Sequence, residues 1–238
     1  METGTKRKKS GWKKVLLGIF SVLLVLILAA FLALGWVAFA GPFKALSITR
    51  INMRYANEPA GGIIFYGASN FTLWFDLEED MQPYTVQNHG FGGSTDDDLM
   101  QYADKLLYPY LPAITVFQSG SNDFVMGMSV QEVNANKDKM YSMFRAELPD
   151  TVFVVLSMLP LPGRTEYWAE SAEVNAYLRA YCEAHDNMLF VDATEALTTA
   201  NGDFRPEYFR DDGIHLNRDG QLVWGEIIRK ALGSIAGA

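Results

Sequence analysis

Five short apolar runs that alternate with helical patterns place the strongest limit on how this chain can fold. The runs are residues 63–66, 85–87, 114–118, 151–159 and 188–191. They are continuously apolar, which is typical of strands buried on both faces of a sheet. The helical patterns lie near residues 71–80, 95–107, 130–148, 167–185 and 218–232, and Asn217 is placed to cap the last of them. This alternation predicts a three-layer α/β/α sandwich around a parallel five-stranded sheet.

Residues 15–40 form a separate N-terminal unit, because they carry no charged side chain. As an α-helix this run would be roughly 39 Å long, which exceeds the ~30 Å hydrocarbon core of a bilayer. Trp12 and Trp36 lie near its two ends, where aromatic side chains anchor at the headgroups. We therefore predict a single transmembrane helix over residues 15–40, with the lipid bilayer as its partner.

The charges that precede this run predict its orientation. Six basic residues come before it: Lys6, Arg7, Lys8, Lys9, Lys13 and Lys14. Basic residues next to a span hold that end in the cytoplasm, so residues 1–14 are predicted as a cytoplasmic tail and the remainder as extracytoplasmic. Ala38-Phe39-Ala40 resembles a cleavage site, which leaves a cleaved signal peptide open. The length of the run favours an uncleaved anchor at the cell membrane, since signal peptides have apolar regions of about 7–15 residues.

Composition excludes several classes of function. Residues after position 14 carry 14 basic and 27 acidic side chains, a net charge of −13. Such a domain is repelled by nucleic acid, so no nucleic-acid partner is expected. Cys182 is the single cysteine, which excludes an intramolecular disulfide and suits a small buried side chain in a helix. Cysteine and histidine are too few for a zinc cluster, and we expect neither a metal nor a cofactor.

Four polar segments stand out at the ends of predicted elements. They are Gly67–Asn70, the "NHGFGGST" of residues 88–95, the "SGSND" of residues 119–123, and the "DDGIHLN" of residues 211–217. Each one alone is an ordinary turn, helix cap or solvated loop. In a parallel sheet, however, ligands bind beyond the carboxyl ends of the strands, and the first three segments follow predicted strands.

Together these segments supply the parts of an acyl-transfer site. Ser69 offers a hydroxyl nucleophile and His215 a general base. Asp212 stands three residues before His215, so one turn can bring its carboxylate to the second ring nitrogen. The backbone N–H groups of Gly93 and Ser69 and the side-chain amide of Asn122 are candidate donors for an oxyanion hole.

The pattern resembles the SGNH hydrolases, also called the GDSL lipase/esterase family, over about residues 62–232. One signature residue of each of the four family blocks is matched: Ser69, Gly93, Asn122 and His215. Asp212 and His215 also match the Asp-x-x-His of the last block. Ala68 departs from the pattern, because the family has aspartate before the serine. The resemblance implies a flavodoxin-like sheet and a metal-free serine hydrolase.

Three further residues are candidates for substrate contact. His89 stands where relatives often carry arginine, although a role within the turn is the alternative. Arg164 and Trp168 belong to the loop of residues 160–171, which either lines the acyl or alcohol pocket or packs on the surface. His185, at the end of a predicted helix, is interpreted as structural.

The predicted organisation is a tail (1–14), a transmembrane helix (15–40), a connector (41–60) and a hydrolase domain (61–238). The function that we expect is a serine esterase that cleaves a carbohydrate or lipid ester with a short acyl chain, by an acyl-enzyme route. An O-acyltransferase that moves acetyl groups onto a cell-wall polysaccharide would use the same site. A non-catalytic binding module is the third hypothesis. The sequence specifies neither the acyl chain nor the oligomeric state.

Overall fold

The computed structural model describes residues 11–39 and 42–236. The chain divides into two units, of which the first ends at Ala45 and the second begins at Leu46. The first unit contains helix α1, Gly11–Phe39. Within the described residues one segment, Lys14–Leu32, is long and apolar enough to cross a membrane, with a mean hydropathy of 3.1. A signal sequence near the N-terminus can satisfy the same two criteria. Residues 1–10 of the predicted tail, and Ala40 of the cleavage motif, lie outside the described residues.

The predicted connector contains a helix. Helix α2 runs Pro42–Tyr55, and from Leu46 onward it belongs to the larger unit. Ile51 and Tyr55 lie one turn apart and are buried in the core of that unit, with exposed fractions of 1% and 5%. The part of α2 from Leu46 onward therefore packs in the larger unit, and a helix this short is held by such packing more than by its own propensity.

Five parallel strands form the sheet, in the order β2-β1-β3-β4-β5. They are β1 (Ile63–Gly67), β2 (Val86–Asn88), β3 (Ile114–Gln118), β4 (Val152–Leu156) and β5 (Met188–Val191). This confirms the predicted sandwich and its flavodoxin-like strand order. The prediction that the fourth strand extends to residue 159 is wrong. Both backbone polar groups of Met158 bond to the side chain of Asn175, so they take no part in a ladder.

Helices cover both faces of the sheet. They are α3 (Ser69–Thr72), α4 (Leu77–Asp80), α5 (Asp96–Leu106), α6 (Ser121–Val125), α7 (Val130–Glu147), α8 (Trp168–Glu183) and α9 (Arg218–Ala236). Ile64 and Tyr66 pack in the core on the side of α2, α5, α7 and α8. Phe65 packs on the opposite side, with α3, α4 and α9. Successive side chains of one strand thus enter two cores, which explains the continuous apolar runs.

Several local predictions can be compared with the structure. The helix predicted near residues 71–80 is two short helices, since the Leu73 carbonyl accepts bonds from the side chains of Arg210 and Gln221. Asn217 accepts the N–H of Gly220, which confirms the cap of α9. Cys182 is buried as predicted. His185 lies two residues beyond the end of α8 and contacts the Tyr181 ring and carbonyl, in agreement with a structural role.

The strand order defines where a ligand can enter. The chain passes from β1 outward to β2 and then returns across β1 to β3, so the direction of winding reverses between β1 and β3. In open parallel sheets the ligand crevice lies at this switch point, outside the carboxyl ends of the strands. Ser69 follows β1 and Asn122 follows β3, so both candidate residues stand beside the crevice.

Candidate active site

Ser69 stands immediately beyond the carboxyl end of β1. A Cβ atom at Gly67 would lie 2.2 Å from the Gln118 carbonyl oxygen, so only glycine allows β1 and β3 to approach here. Ala68 is still extended, with φ −91° and ψ −151°, and Ser69 begins the one-turn helix α3. The strand therefore turns sharply into a helix at Ser69 and leaves its hydroxyl at the edge of the sheet.

A chain of hydrogen bonds connects Ser69 to His215 and Asp212. Ser69 Oγ lies 2.9 Å from His215 Nε2, and His215 Nδ1 lies 2.7 Å from Asp212 Oδ2. The other oxygen, Asp212 Oδ1, accepts the backbone N–H groups of Ile214 (2.8 Å) and His215 (2.9 Å). With Nδ1–H donated to the carboxylate, Nε2 can accept the serine proton. The predicted turn thus brings the three side chains into one line.

The environment of Asp212 favours its ionised form. Partial burial raises the pKa of this carboxyl group, but hydrogen bonds from the His215 ring and from the two backbone N–H groups outweigh that effect and lower the pKa to about 2. The group is therefore a carboxylate at any pH near neutrality. It can orient the neutral imidazole and stabilise the imidazolium that forms when His215 accepts a proton.

The Asn122 amide is held in one orientation. Its Nδ2 atom donates to the Ser94 carbonyl at 3.0 Å, and its Oδ1 atom accepts from both terminal nitrogens of Arg164 at 3.1 Å each. These contacts fix which end of the amide is the donor. The second hydrogen on Nδ2 is left for another acceptor, as an oxyanion hole requires.

Two glycines of the second segment leave the backbone open, one beside the nucleophile at Gly92 and one at Gly93. Gly93 has φ +75°, a left-handed conformation that favours glycine, and no atom lies within 4 Å of where its Cβ would be. At Gly92 a Cβ would lie 3.8 Å from the Cβ of Ser69, so this turn passes directly beside the serine. A substrate carbonyl can therefore approach the backbone here without a side chain in its way.

Arg164 was predicted to contact substrate, but the structure gives its guanidinium protein partners. Besides Asn122 it donates to Ser121 Oγ at 2.9 Å, and burial lowers the pKa of its half-buried side chain. The segment of Arg164 also contacts the turn that carries Asp212 and His215, because Gly163 donates its N–H to the Gly213 carbonyl at 2.9 Å. A Cβ at Gly163 would lie 2.3 Å from the Asp212 carbonyl oxygen. Residues 162–164 therefore connect the Asp212 turn to the Asn122 amide.

The prediction that His89 contacts substrate is wrong. The side chain is completely buried, with Nδ1 2.6 Å from the Leu106 carbonyl oxygen and Nε2 3.0 Å from the side-chain amide of Gln87. Its ring packs against those of Tyr55 and Tyr110. Burial lowers its pKa to about 4, so the imidazole is neutral. His89 is part of the turn, as the alternative interpretation held.

Trp168, the third candidate for substrate contact, begins α8 and remains 36% exposed. Its indole N–H donates to the Leu161 carbonyl at 3.1 Å, and its ring packs against Phe204. These contacts fix the indole beside a groove between α8 and the loop of residues 198–204. Its role in substrate binding stays a prediction.

Sequence reasoning missed a buried polar cluster beside the oxyanion residues. Lys137, 1% exposed, bonds to Asp96 Oδ1 at 2.9 Å and Ser119 Oγ at 2.6 Å, and Asp123 accepts the Asp96 N–H at 3.1 Å. Asp96 follows Gly93 closely in sequence and Asp123 follows Asn122, so the cluster joins the two donor segments. Burial raises the pKa of Asp123 most, the Asp96 charge raises it further and Lys137 opposes both, which brings the pKa to about 7. The available signal was a lysine on the apolar stripe of α7.

No group of three or more histidine, cysteine, aspartate or glutamate side chains within the described part of the chain could hold a metal ion. The catalytic chemistry that this arrangement can perform by itself is nucleophilic attack by Ser69, proton transfer through His215, and stabilisation of a developing oxyanion.

Comparison with known proteins agrees with this geometry. The model of the GDSL-like lipase/acylhydrolase family matches residues 65–223. No curated protein matches the chain. Among solved structures, a Streptococcus pneumonia protein provisionally described as a platelet activating factor has a TM-score of 0.71 at 23% identity, covering 87% of this chain and 99% of the other. A GDSL-like lipase of Bacteroides thetaiotaomicron has a TM-score of 0.66 at 18% identity, with coverages of 79% and 98%. A variant of an acetyl-xylooligosaccharide esterase of Geobacillus stearmophilus has a TM-score of 0.59 at 15% identity, with coverages of 74% and 95%.

Proposed function

This chain belongs to the GDSL-like lipase/acylhydrolase family and is an ester hydrolase, and we propose that it works through an acyl-enzyme intermediate on Ser69. The observation that carries the proposal is the unbroken hydrogen-bond chain from Asp212 through His215 to Ser69 Oγ, at 2.7 and 2.9 Å. Nothing in this chemistry needs a group beyond the protein's own side chains and water.

The proposed reaction has two halves. Ser69 Oγ attacks the ester carbonyl while its proton passes to His215 Nε2, and Asp212 stabilises the resulting imidazolium. The oxyanion accepts hydrogen bonds from the Asn122 amide and from the N–H groups of Gly93 and Ser69. The intermediate collapses, the alcohol leaves with the proton from Nε2, and the acyl group stays on Oγ. Water then gives a proton to Nε2 and attacks the acyl carbonyl. The second intermediate collapses as Nε2 returns that proton to Ser69 Oγ, which releases the carboxylic acid and restores the serine.

We expect the substrate to be an ester of a carbohydrate with a short acyl chain. The support is the likeness of fold to an acetyl-xylooligosaccharide esterase, together with the open backbone at Gly93. Transfer of the acyl group to a polysaccharide hydroxyl differs only in the second half-reaction, so product analysis with and without an acceptor polysaccharide separates the two activities. Release of free acid at the same rate in both conditions identifies a hydrolase.

The proposed location is the outer face of the membrane, with residues 15–40 as an uncleaved anchor and the N-terminus in the cytoplasm. The apolar composition of α1 and the basic residues before it support this proposal.

Covalent labelling tests the nucleophile. The full-length protein in detergent is treated with a fluorophosphonate, and its activity is measured on p-nitrophenyl esters of increasing chain length. We expect Ser69→Ala to abolish both labelling and hydrolysis with an unchanged melting temperature. Ser234→Ala, an exposed serine near the end of α9, is the matched control and should keep both. Wild-type labelling of Ser69→Ala would show another nucleophile, and an unlabelled wild-type protein would show a non-catalytic module.

A further inference from the structure

A second concave site lies beside α8, outside the catalytic machinery. It is a groove of about 430 Å³ between α8 and the loop of residues 198–204. Ser171, Ala172 and Ala176 make the α8 wall, and their small side chains leave the space open. Thr198 and Phe204 lie on the opposite wall. Its volume falls within the range of about 300–1,000 Å³ that is usual for small-molecule sites.

The groove opens on the same edge of the sheet as the active site. Its lining includes Met158 and Pro160, which follow β4, and Asp192, which follows β5. Ligands of parallel sheets bind beyond the carboxyl ends of the strands, and this groove is at the β4–β5 part of that edge. It is therefore placed to hold a distal part of a molecule whose reacting bond lies at Ser69.

Two shared residues connect the groove to the neighbourhood of the oxyanion amide. Trp168 and Ser171 line the groove, and they also line a small cleft that Arg164 and Ser121 enter. Arg164 is the residue that holds the Asn122 amide. The groove and the cleft beside Arg164 thus share a wall formed by these two residues.

The lining favours a neutral ligand with many hydroxyl groups. Its two charged side chains, Arg179 and Asp192, form an ion pair at 2.7 Å, so they compensate each other. Thr194 donates a hydrogen bond to Asp192 at 2.5 Å, and Ser171 and Thr198 add further hydroxyls. The partly exposed indole of Trp168 supplies an aromatic surface of the kind that packs against apolar C–H groups. A fatty-acyl chain would instead require an uninterrupted apolar lining.

We propose that this groove is a subsite for sugar units of an ester-bearing oligosaccharide, at a distance from the ester bond that Ser69 attacks. The proposal rests on the proposed esterase function and specifies its substrate: the carbohydrate belongs to the alcohol side of the ester, and units beyond the esterified one occupy the groove. Hydroxyls of the ligand would exchange hydrogen bonds with Asp192, Arg179 and Thr198, while the ring faces of the sugar contact Trp168.

The test fills the groove without changing Ser69, His215 or Asp212. Ala176→Leu adds bulk to the α8 wall, and Ala180→Leu, one turn further along the exposed surface of the same helix, is the matched control. Each full-length variant is assayed with p-nitrophenyl acetate and with acetylated xylo-oligosaccharides, and its melting temperature is measured. We expect Ala176→Leu to raise KM for the oligosaccharide ester by about tenfold or more, as blocking a shaped subsite does. Hydrolysis of p-nitrophenyl acetate by this variant should stay unchanged, and Ala180→Leu should alter neither substrate.

The outcomes separate this proposal from the proposed function. Equal kinetics of Ala176→Leu and wild type on both substrates would overturn the subsite and leave the esterase intact. Hydrolysis of p-nitrophenyl acetate without any hydrolysis of the acetylated oligosaccharide would likewise overturn the sugar subsite alone. Inactivity on both substrates, together with absence of fluorophosphonate labelling, would overturn the esterase mechanism and the subsite with it. A parallel loss on both substrates by Ala176→Leu would assign the residue to folding or catalysis instead.

Discussion

Replacing Arg164 by alanine should reduce kcat through Asn122 while leaving KM nearly unchanged. The guanidinium donates two hydrogen bonds of 3.1 Å to Asn122 Oδ1, and the Ser94 carbonyl accepts one bond of 3.0 Å from Nδ2. An inverted amide would lose all three and would aim its oxygen where a donor is needed. On the proposed mechanism Arg164 is a positioning residue, since its side-chain hydrogen bonds go to Asn122 and Ser121.

The size of the effect follows from those bonds. A hydrogen bond from a charged donor contributes about 1.5–3 kcal/mol and a neutral one about 0.5–1.5 kcal/mol. With Arg164 present, inversion of the amide therefore costs several kcal/mol and the inverted form is rare. Without Arg164, only the bond to Ser94 opposes inversion, so the amide samples both orientations and moves more freely. Complete loss of one oxyanion donor costs roughly 10²–10³ in kcat. We expect the loss of kcat in Arg164→Ala to be smaller than this, about tenfold to a hundredfold.

A double-mutant cycle measures whether the effect passes through Asn122. kcat and KM are determined on one short-chain ester for wild type, Arg164→Ala, Asn122→Ala and the double variant. In the Asn122→Ala background, removal of Arg164 should change kcat less than about twofold, because the amide it positions is absent. Arg164→Lys should retain part of the activity, since a single ammonium replaces the two-pronged guanidinium. Additive losses, or a raised KM with unchanged kcat, would refute this reasoning and return Arg164 to the substrate contact that the sequence predicted.

The remaining predictions concern the carboxylates and the membrane segment. Asp212→Asn should lower kcat by about 10⁴-fold, the loss recorded when the corresponding aspartate of a serine protease is replaced. Replacement of its neighbour, Asp211→Asn, should have a small effect. A larger loss for Asp211→Asn than for Asp212→Asn would show that the assignment of the carboxylate is off by one residue. Asp123→Asn should flatten the dependence of stability on pH. The pKa of Asp123 is raised from 3.8 to about 7, so its contribution to folding is complete below pH 4 and is lost as the pH rises through 7, by up to about 1.4 kcal/mol per unit. The free energy of unfolding, measured with urea at pH 5 and pH 8.5, tests this prediction. An equal change in that free energy between the two pH values for variant and wild type would contradict it. Protease added to spheroplasts should digest the domain after residue 40, and the 26.6 kDa chain should sediment with membranes; a soluble form beginning at Gly41 would identify a signal peptide.

The sheet and the hydrogen-bonded series of Asp212, His215 and Ser69 could be predicted because each follows from short-range patterns. Continuous apolar runs identified the five strands, and parallel pairing then places their carboxyl ends at one edge regardless of loop detail. Ser69 and Asn122 directly follow strands, so their place on that edge was determined by the strands. Asp212 and His215 are three residues apart, and a single turn accounts for their 2.7 Å contact.

The supporting residues could not be predicted because their partners are distant in sequence. Arg164 reaches Asn122 across 42 positions, and no local pattern distinguishes a guanidinium that binds an amide from one that binds substrate. His89 looked accessible in a glycine-rich turn, yet Tyr55 of α2 covers its ring. The burial of α2 itself depends on tertiary packing, which overrides the polar appearance of residues 41–60.

The buried cluster shows why the two donor segments need more than their own turns. Gly93 lies in the turn after β2 and Asn122 in the short helix α6 after β3, and neither segment by itself fixes the distance between their N–H groups. Lys137 bonds to Asp96 and Ser119, and Asp123 accepts the Asp96 N–H, so both segments are held by groups that are essentially inaccessible to water. Burial of such charges stabilises a fold little, since desolvation offsets their attraction. On the proposed mechanism, the cluster holds the two donors at a fixed distance from each other. An oxyanion hole depends on that distance, because its donors stabilise the transition state only when they are oriented before the charge develops.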